Sequence, residues 1–214
     1  LASRRGKGTG GDEKQMVFFL ARGTVYGLHA ASGQLAWRRS VGYETQIHPR
    51  PLSKQAGADV IVADQRRDEV LRLHGETGEL VWRLPVGEPF VEPVLDGKRL
   101  LVATKSGKIH DVDLETGRSS RHVVIPQALD SGPGIGQGDC LYQTGTHSNL
   151  YVLDKTTLEC KEVQYLGHKA GTIVLPSTMI LGHLFIAENS SETECNLHVM
   201  APDKDGLSVK PAVK

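Results

Sequence analysis

A thirteen-residue phrase is written along this chain four times, with a fifth, weaker copy, and no other feature restricts the fold as much. The copies are Val25–Trp37 (VYGLHAASGQLAW), Val70–Trp82 (VLRLHGETGELVW), Ile109–Arg121 (IHDVDLETGRSSR) and Leu150–Glu162 (LYVLDKTTLECKE), and the weak one lies around 197–207. With Gly33, Gly78, Gly117 and Leu158 in register the steps are 45, 39 and 41 residues. Repetition at this spacing means that no unit buries its apolar face alone and each must stack on a neighbour. A period near 40 belongs to propeller blades, not to helical solenoids.

Between the phrases a second pattern recurs, a short apolar run entered through a turn: Met16–Ala21, Val60–Ala63, Leu100–Ala103, Cys140–Tyr142 and Leu184–Ala187. Runs this short, rich in β-branched and aromatic residues and bounded by Gly, Asp and Lys, read as buried strands. Ahead of them lie turn signals such as Asp96-Gly97, and ahead of those further extended segments, Phe90–Leu95, Thr172–Pro176 and Met179–Leu181. The unit is therefore an inner strand, a buried second strand, a third strand, a tight turn and a fourth strand. Four antiparallel strands per roughly 40 residues make one blade. No segment sustains a 3.6-residue apolar period, so no helix longer than about two turns is expected.

The turn between third and fourth strands explains the glycine. The chain reverses within a few residues at Ala31–Gln34, Glu76–Glu79 and Glu115–Arg118, and Gly supplies the positive φ that such a reversal needs. Asp113 and Asp154 precede the turn where His29 and His74 stand in the first two copies. A side chain there that bonds the local backbone closes the turn. Trp37 and Trp82 fall four residues after the glycine, a position suited to packing between neighbouring sheets. The third and fourth copies carry Arg121 and Glu162 instead, so contacts there should be looser or more polar.

Lys plus Arg equals Asp plus Glu at 25 each, which gives no general electrostatic reason to bind nucleic acid or anionic lipid. The basic stretch Arg4-Arg5-Gly6-Lys7 sits in a Gly-rich tract with no aromatic to stack on bases, and residues 1–13 read as a flexible linker ahead of blades spanning 14–214. No apolar run is long enough for a membrane helix, and no targeting segment is visible. The sequence opens on Leu1, as a processed or partial product does. Three cysteines, Cys140, Cys160 and Cys195, have no metal-like spacing, and free thiols are expected.

With these residues laid out, the chain resembles the pyrroloquinoline-quinone (PQQ)-like repeat family, whose blade phrase runs approximately Ala-x-Asp-x-x-Thr-Gly-Lys-x-x-Trp. Gly33 and Trp37 match its anchors in the first copy; Thr77, Gly78 and Trp82 in the second; Asp113, Thr116 and Gly117 in the third; Asp154 and Thr157 in the fourth. The resemblance implies an all-β propeller of about five four-stranded antiparallel blades, an incomplete arc of a seven- or eight-bladed ring, with missing blades or another chain completing it. The family includes quinoprotein alcohol dehydrogenases, which use adjacent cysteines, a Trp floor and an acidic base with a metal ion. This sequence has no adjacent cysteines, and the blade phrase accounts for both tryptophans. The resemblance to the non-catalytic members is closer: the barrel-assembly lipoprotein BamB and the sensor propellers of bacterial serine/threonine kinases. It implies a protein-binding scaffold in the bacterial cell envelope, periplasmic or extracytoplasmic, with no cofactor, no catalytic or metal-binding residue, no nucleic acid and no direct membrane insertion. A fragment of a PQQ-dependent alcohol or sugar dehydrogenase is the alternative.

Other chemistries have weaker support. The chain has no nucleophile elbow of the G-x-S-x-G type. The stretch Gly132–Gly138 is Gly-rich but lacks the Lys-Ser/Thr ending of a phosphate loop. Asp203-Lys204-Asp205-Gly206 lacks the further ligands of a calcium loop and fits the turn of the fifth copy.

Overall fold

The computed structural model describes residues 15–136, 138–206 and 209–211; the linker read at 1–13 lies outside the described residues. Every regular element among them is a β-strand. The chain falls into two compact units, residues 1–87 and 88–214.

The first unit holds two antiparallel sheets. One is formed by β1 (Met16–Ala21), β2 (Thr24–His29) and β3 (Leu35–Ser40), and the other by β4 (Arg50–Pro51), β5 (Val60–Asp64), β6 (Glu69–Leu73) and β7 (Leu80–Pro85). The second unit holds three sheets of four strands each. The third sheet contains β8 (Val94–Asp96), β9 (Arg99–Ala103), β10 (Lys108–Asp113) and β11 (Ser119–Val124). The fourth contains β12 (Gly134–Ile135), β13 (Cys140–Thr144), β14 (Asn149–Asp154) and β15 (Cys160–Tyr165), and the fifth β16 (Thr178–Ile180), β17 (His183–Asn189), β18 (Cys195–Pro202) and β19 (Val209–Pro211). Strands follow one another across every sheet in chain order, the meander that short hairpin connections enforce.

The first sheet has three strands among the described residues. One detail departs from the sequence reading. Thr172–Pro176, read as an extended segment, forms no strand; Pro176 has no amide hydrogen to give to a ladder, and pairing begins only at Thr178.

The second strands of the second, third and fourth sheets, β5, β9 and β13, are buried along nearly their whole length, as their apolar runs imply. Val60, Val62, Leu71 and Leu73 pack with Val25, Val41 and Trp37 in a core between the first and second sheets. Leu101, Ala103, Ile109, Leu129, Leu141 and Leu153 form the core between the third and fourth. Leu150, Val152, Leu184, Ile186 and Met200 form that between the fourth and fifth. The first sheet's other side is bare. Val17 and Phe19 on β1 are 49% and 37% exposed, whereas Val60 and Val62, at the matching positions of β5, are 0% and 1% exposed.

Candidate functional site

Four of the five sheets build the same turn ahead of their last strand. The amides of Gly33, Gly78, Gly117 and Leu158 donate to the carbonyls of His29, His74, Asp113 and Asp154, each at 2.8 Å. All four residues sit in the left-handed region, with φ of 68°, 71°, 68° and 65°. Asp113 Oδ1 accepts from the amide and hydroxyl of Thr116 at 2.8 Å, and Asp154 Oδ1 from the amides of Thr156 and Thr157. Bonds from Thr116 hold the Asp113 carboxyl below its ordinary range, and the Thr157 amide does the same at Asp154. These carboxylates are turn closures, because a side chain that bonds nearby amides competes with extended structure.

Just before each turn the pairing slips by one residue, between Gly27 and Leu28, Arg72 and Leu73, Asp111 and Val112, and Val152 and Leu153. A bulge re-aims side chains of its strand. The residues paired at these slips are Trp37, Trp82, Arg121 and Glu162. That one position decides how a sheet meets the next across the seam between them.

In the seam between the first and second sheets the position is filled by an indole. Trp37 is 8% exposed, and its Nε1–H donates to the Gly75 carbonyl in the next sheet's turn at 2.7 Å. The ring lies between two glycines. A Cβ on Gly78 would stand 2.6 Å from it, and one on Gly27 would also meet it. Gly78 is therefore fixed twice, by its positive φ and by the ring above it. Phe18 adds a tilted ring contact with centroids 5.7 Å apart. Trp82 occupies the same register position on β7 and is 7% exposed.

Between the third and fourth sheets a guanidinium takes the indole's place. Arg121 Nη1 donates to the Thr156 carbonyl in the next turn, while its Nε meets Asp111 Oδ2 at 3.0 Å. Asp111 is also held by Arg99 at 3.1 Å, and Lys155 crosses the seam to Asp96 at 2.9 Å. Burial pushes the Asp96 carboxyl up, but bonds from Lys155 and Arg99 outweigh it and leave the group below its ordinary value. A cleft of about 300 Å³ at this seam is lined by these charged side chains. With no indole overhead, the turn tolerates a side chain at the glycine position: Leu158 is 1% exposed in the core between the two sheets.

Between the fourth and fifth sheets the bond to the next turn comes from deeper in the sheet. Tyr142, on the second strand β13, donates its hydroxyl to the Gly206 carbonyl at 2.6 Å, and Cys140 Sγ reaches the Asp205 carbonyl at 3.3 Å. Desolvation raises the pKa of both the thiol and the phenol, and the nearby aspartates add to it. The outer position holds Glu162, whose carboxylate accepts from Gln164 Nε2 at 3.2 Å and makes no ion pair among the described residues. Among the described residues nothing large fills the outer seam. The result is an open groove of about 710 Å³ between β15 and β18–β19, lined among others by Glu162, Gln164, Leu166, His198, Met200 and Val209. Its size is within the about 300–1,000 Å³ typical of ligand pockets. His198 Nε2 donates to Glu188 Oε2 at 2.8 Å, and Thr172 bonds the other oxygen at 3.2 Å. The His198 bond holds the Glu188 carboxyl below its ordinary value.

The sequence phrase thus places Gly33, Trp37, Gly78, Trp82, Asp113, Gly117 and Asp154 in turns and seams. The groove was not among the sites read from it. Its one sequence signal is a carboxylate, Glu162, at the register position of a tryptophan. Both tryptophans are buried in their sheets, and Cys140, Cys160 and Cys195 are separate free thiols. Among the described residues no group of three or more His, Cys, Asp or Glu is placed to hold a metal ion, and no helix is long and apolar enough to cross a membrane.

Repeated meander sheets with a shared turn define a protein of the β-propeller class. Residues 21–124 match the family model of the outer membrane protein assembly factor BamB. The crystal structure of BamB from Moraxella catarrhalis superposes with a TM-score of 0.64 at 16% sequence identity, covering 87% of this chain and 54% of that one. This chain therefore spans about half the length of that protein, and at this identity the likeness is one of fold. No curated protein matches in sequence. Matching chains of solved structures number 1005, so the fold alone selects no single partner.

Proposed function

We propose that this chain is a non-catalytic propeller scaffold whose seams and loops hold protein partners in a bacterial cell envelope. The observation that carries the reading is the open groove between the fourth and fifth sheets, at the place where the other seams described are filled by the chain's own side chains. A groove held by two sheets with a shared apolar core needs little reordering on binding, which lowers the entropic cost of association. The match of residues 21–124 to the BamB family model supports a role of the assembly type.

Site-directed photo-crosslinking tests it. Tyr165 lines the groove and is 81% exposed, so a photoreactive phenylalanine there should capture a discrete protein in an envelope fraction. The same residue at exposed Tyr43, in the other unit, is the comparison. Absence of a discrete adduct at Tyr165, together with alcohol or sugar oxidation by the purified chain given PQQ and calcium, would overturn the scaffold reading.

A further inference from the structure

We infer that the groove between the fourth and fifth sheets takes an extended peptide segment that anchors an arginine side chain on Glu162. The inference rests on the scaffold reading and specifies the partner's chemistry. In the first seam the outer position supplies an indole that donates to the next turn, and in the seam after the third sheet it supplies a guanidinium. At the groove the same position supplies a carboxylate. The chain has reversed the polarity of its own filler.

The charged group facing this space is an acceptor. Glu162 offers a carboxylate with no cation of the described residues on it. Gln164 gives its amide hydrogens toward Glu162, and its Oε1 is enclosed with no hydrogen-bond partner. His198 donates from Nε2 to Glu188, which as a carboxylate only accepts. Leu166, Met200, Val209 and Pro211 form apolar walls. A side chain with an apolar stem and a head that only donates fits such a lining, and the planar guanidinium matches a carboxylate with two parallel N–H donors where a single ammonium does not. Such a bond is charge-assisted on both sides. The stem lies along apolar surface while the head reaches the acceptors.

The test uses fluorescence anisotropy with the purified chain and a labelled nonapeptide, Ser-Leu-Ser-Leu-Arg-Leu-Ser-Leu-Ser, against its citrulline counterpart, which keeps the shape and removes the charge. The arginine peptide is expected to bind at least tenfold more tightly, with the preference shrinking in 0.5 M salt. Glu162→Gln should erase the preference. Glu162→Arg should abolish binding of both peptides, because its guanidinium refills the seam as Arg121 does; circular dichroism and melting curves of both variants establish that they are folded. Equal binding of the two peptides, a preference that survives Glu162→Gln, or no binding to the unaltered chain at millimolar peptide would each overturn the inference. Those outcomes leave the crosslink at Tyr165 intact if the groove holds a partner of other chemistry, so failure of the arginine anchor is separable from failure of the scaffold.

Discussion

Leu158 shows how one residue records the identity of its neighbour. It occupies the left-handed turn position that glycine holds in the three preceding copies, with its side chain buried between the third and fourth sheets. A non-glycine residue there costs about 1–2 kcal/mol, and burying the leucine side chain returns about 1.5–3 kcal/mol. The two effects predict an inverted ranking. Leu158→Ala keeps the backbone strain and loses the burial, whereas Leu158→Gly loses the burial and releases the strain. The glycine variant should therefore be the more stable by about 1 kcal/mol, with both below the parent chain. Urea melts of the three proteins decide it, and an alanine variant more stable than the glycine variant would show that the turn is unstrained.

At the level of the sheets, what matters is which group crosses each seam. Trp37 combines buried ring area with a bond to Gly75, so Trp37→Ala should cost about 3–5 kcal/mol. Trp37→Phe keeps most of the ring and forfeits the bond, so its cost should be nearer 1–2 kcal/mol. Denaturant melts check both, and a loss under about 1 kcal/mol for the alanine variant would contradict the burial seen. The phrase and its period made the four-strand units, the turn glycines and the seam role of Trp37 legible, because each depends on local backbone geometry repeated in register. The groove was not legible in the same way. It depends on Tyr142 taking over the bond to the next turn from another strand, and no spacing within one copy reveals that exchange. Arg121 and Glu162 announced a change of contact, and the structure resolves it into two different outcomes, an ionic seam and an open one. The short inner strands were the least readable elements, since two or three residues such as Gly134 and Ile135 carry no periodicity.

Across the whole molecule the acid response follows from a few buried groups. Desolvation pushes the His168 ring below its ordinary 6.5, against the opposing pull of the Gly145 carbonyl and Glu188. Its Nε2–H donates to that carbonyl, and Nδ1 is enclosed without a partner. A histidine with a depressed folded pKa binds fewer protons folded than unfolded, so its contribution is full above pH 6.5 and is lost as pH falls through and below that value. Glu188, held below its ordinary 4.5 by His198, adds a loss that begins below pH 4.5. Melting temperature should therefore decline from about pH 6.5 downward and more steeply below about pH 4.5. His168→Gln, which can keep the bond to Gly145, should shrink the first decline, the remainder coming from His110, which burial also holds below its ordinary value, and leave the second. A variant with an unchanged profile between pH 7 and 5 would rule out His168 as the source.

The bare side of the first sheet has a colloidal consequence. Val17 and Phe19 stand in water at positions that the next sheet buries fully, and Phe19 stacks on Tyr26 with ring centroids 5.0 Å apart. Exposed apolar surface of this kind beside an unpaired strand edge is a template for association between molecules. A preparation of this chain by itself should show concentration-dependent light scattering that rises with salting-out agents such as sulfate, which strengthen apolar burial. Val17→Thr with Phe19→Lys should suppress it without lowering the melting temperature by more than a few degrees, since neither side chain is part of a filled core. Scattering that persisted in the double variant would place the adhesive surface elsewhere on the molecule.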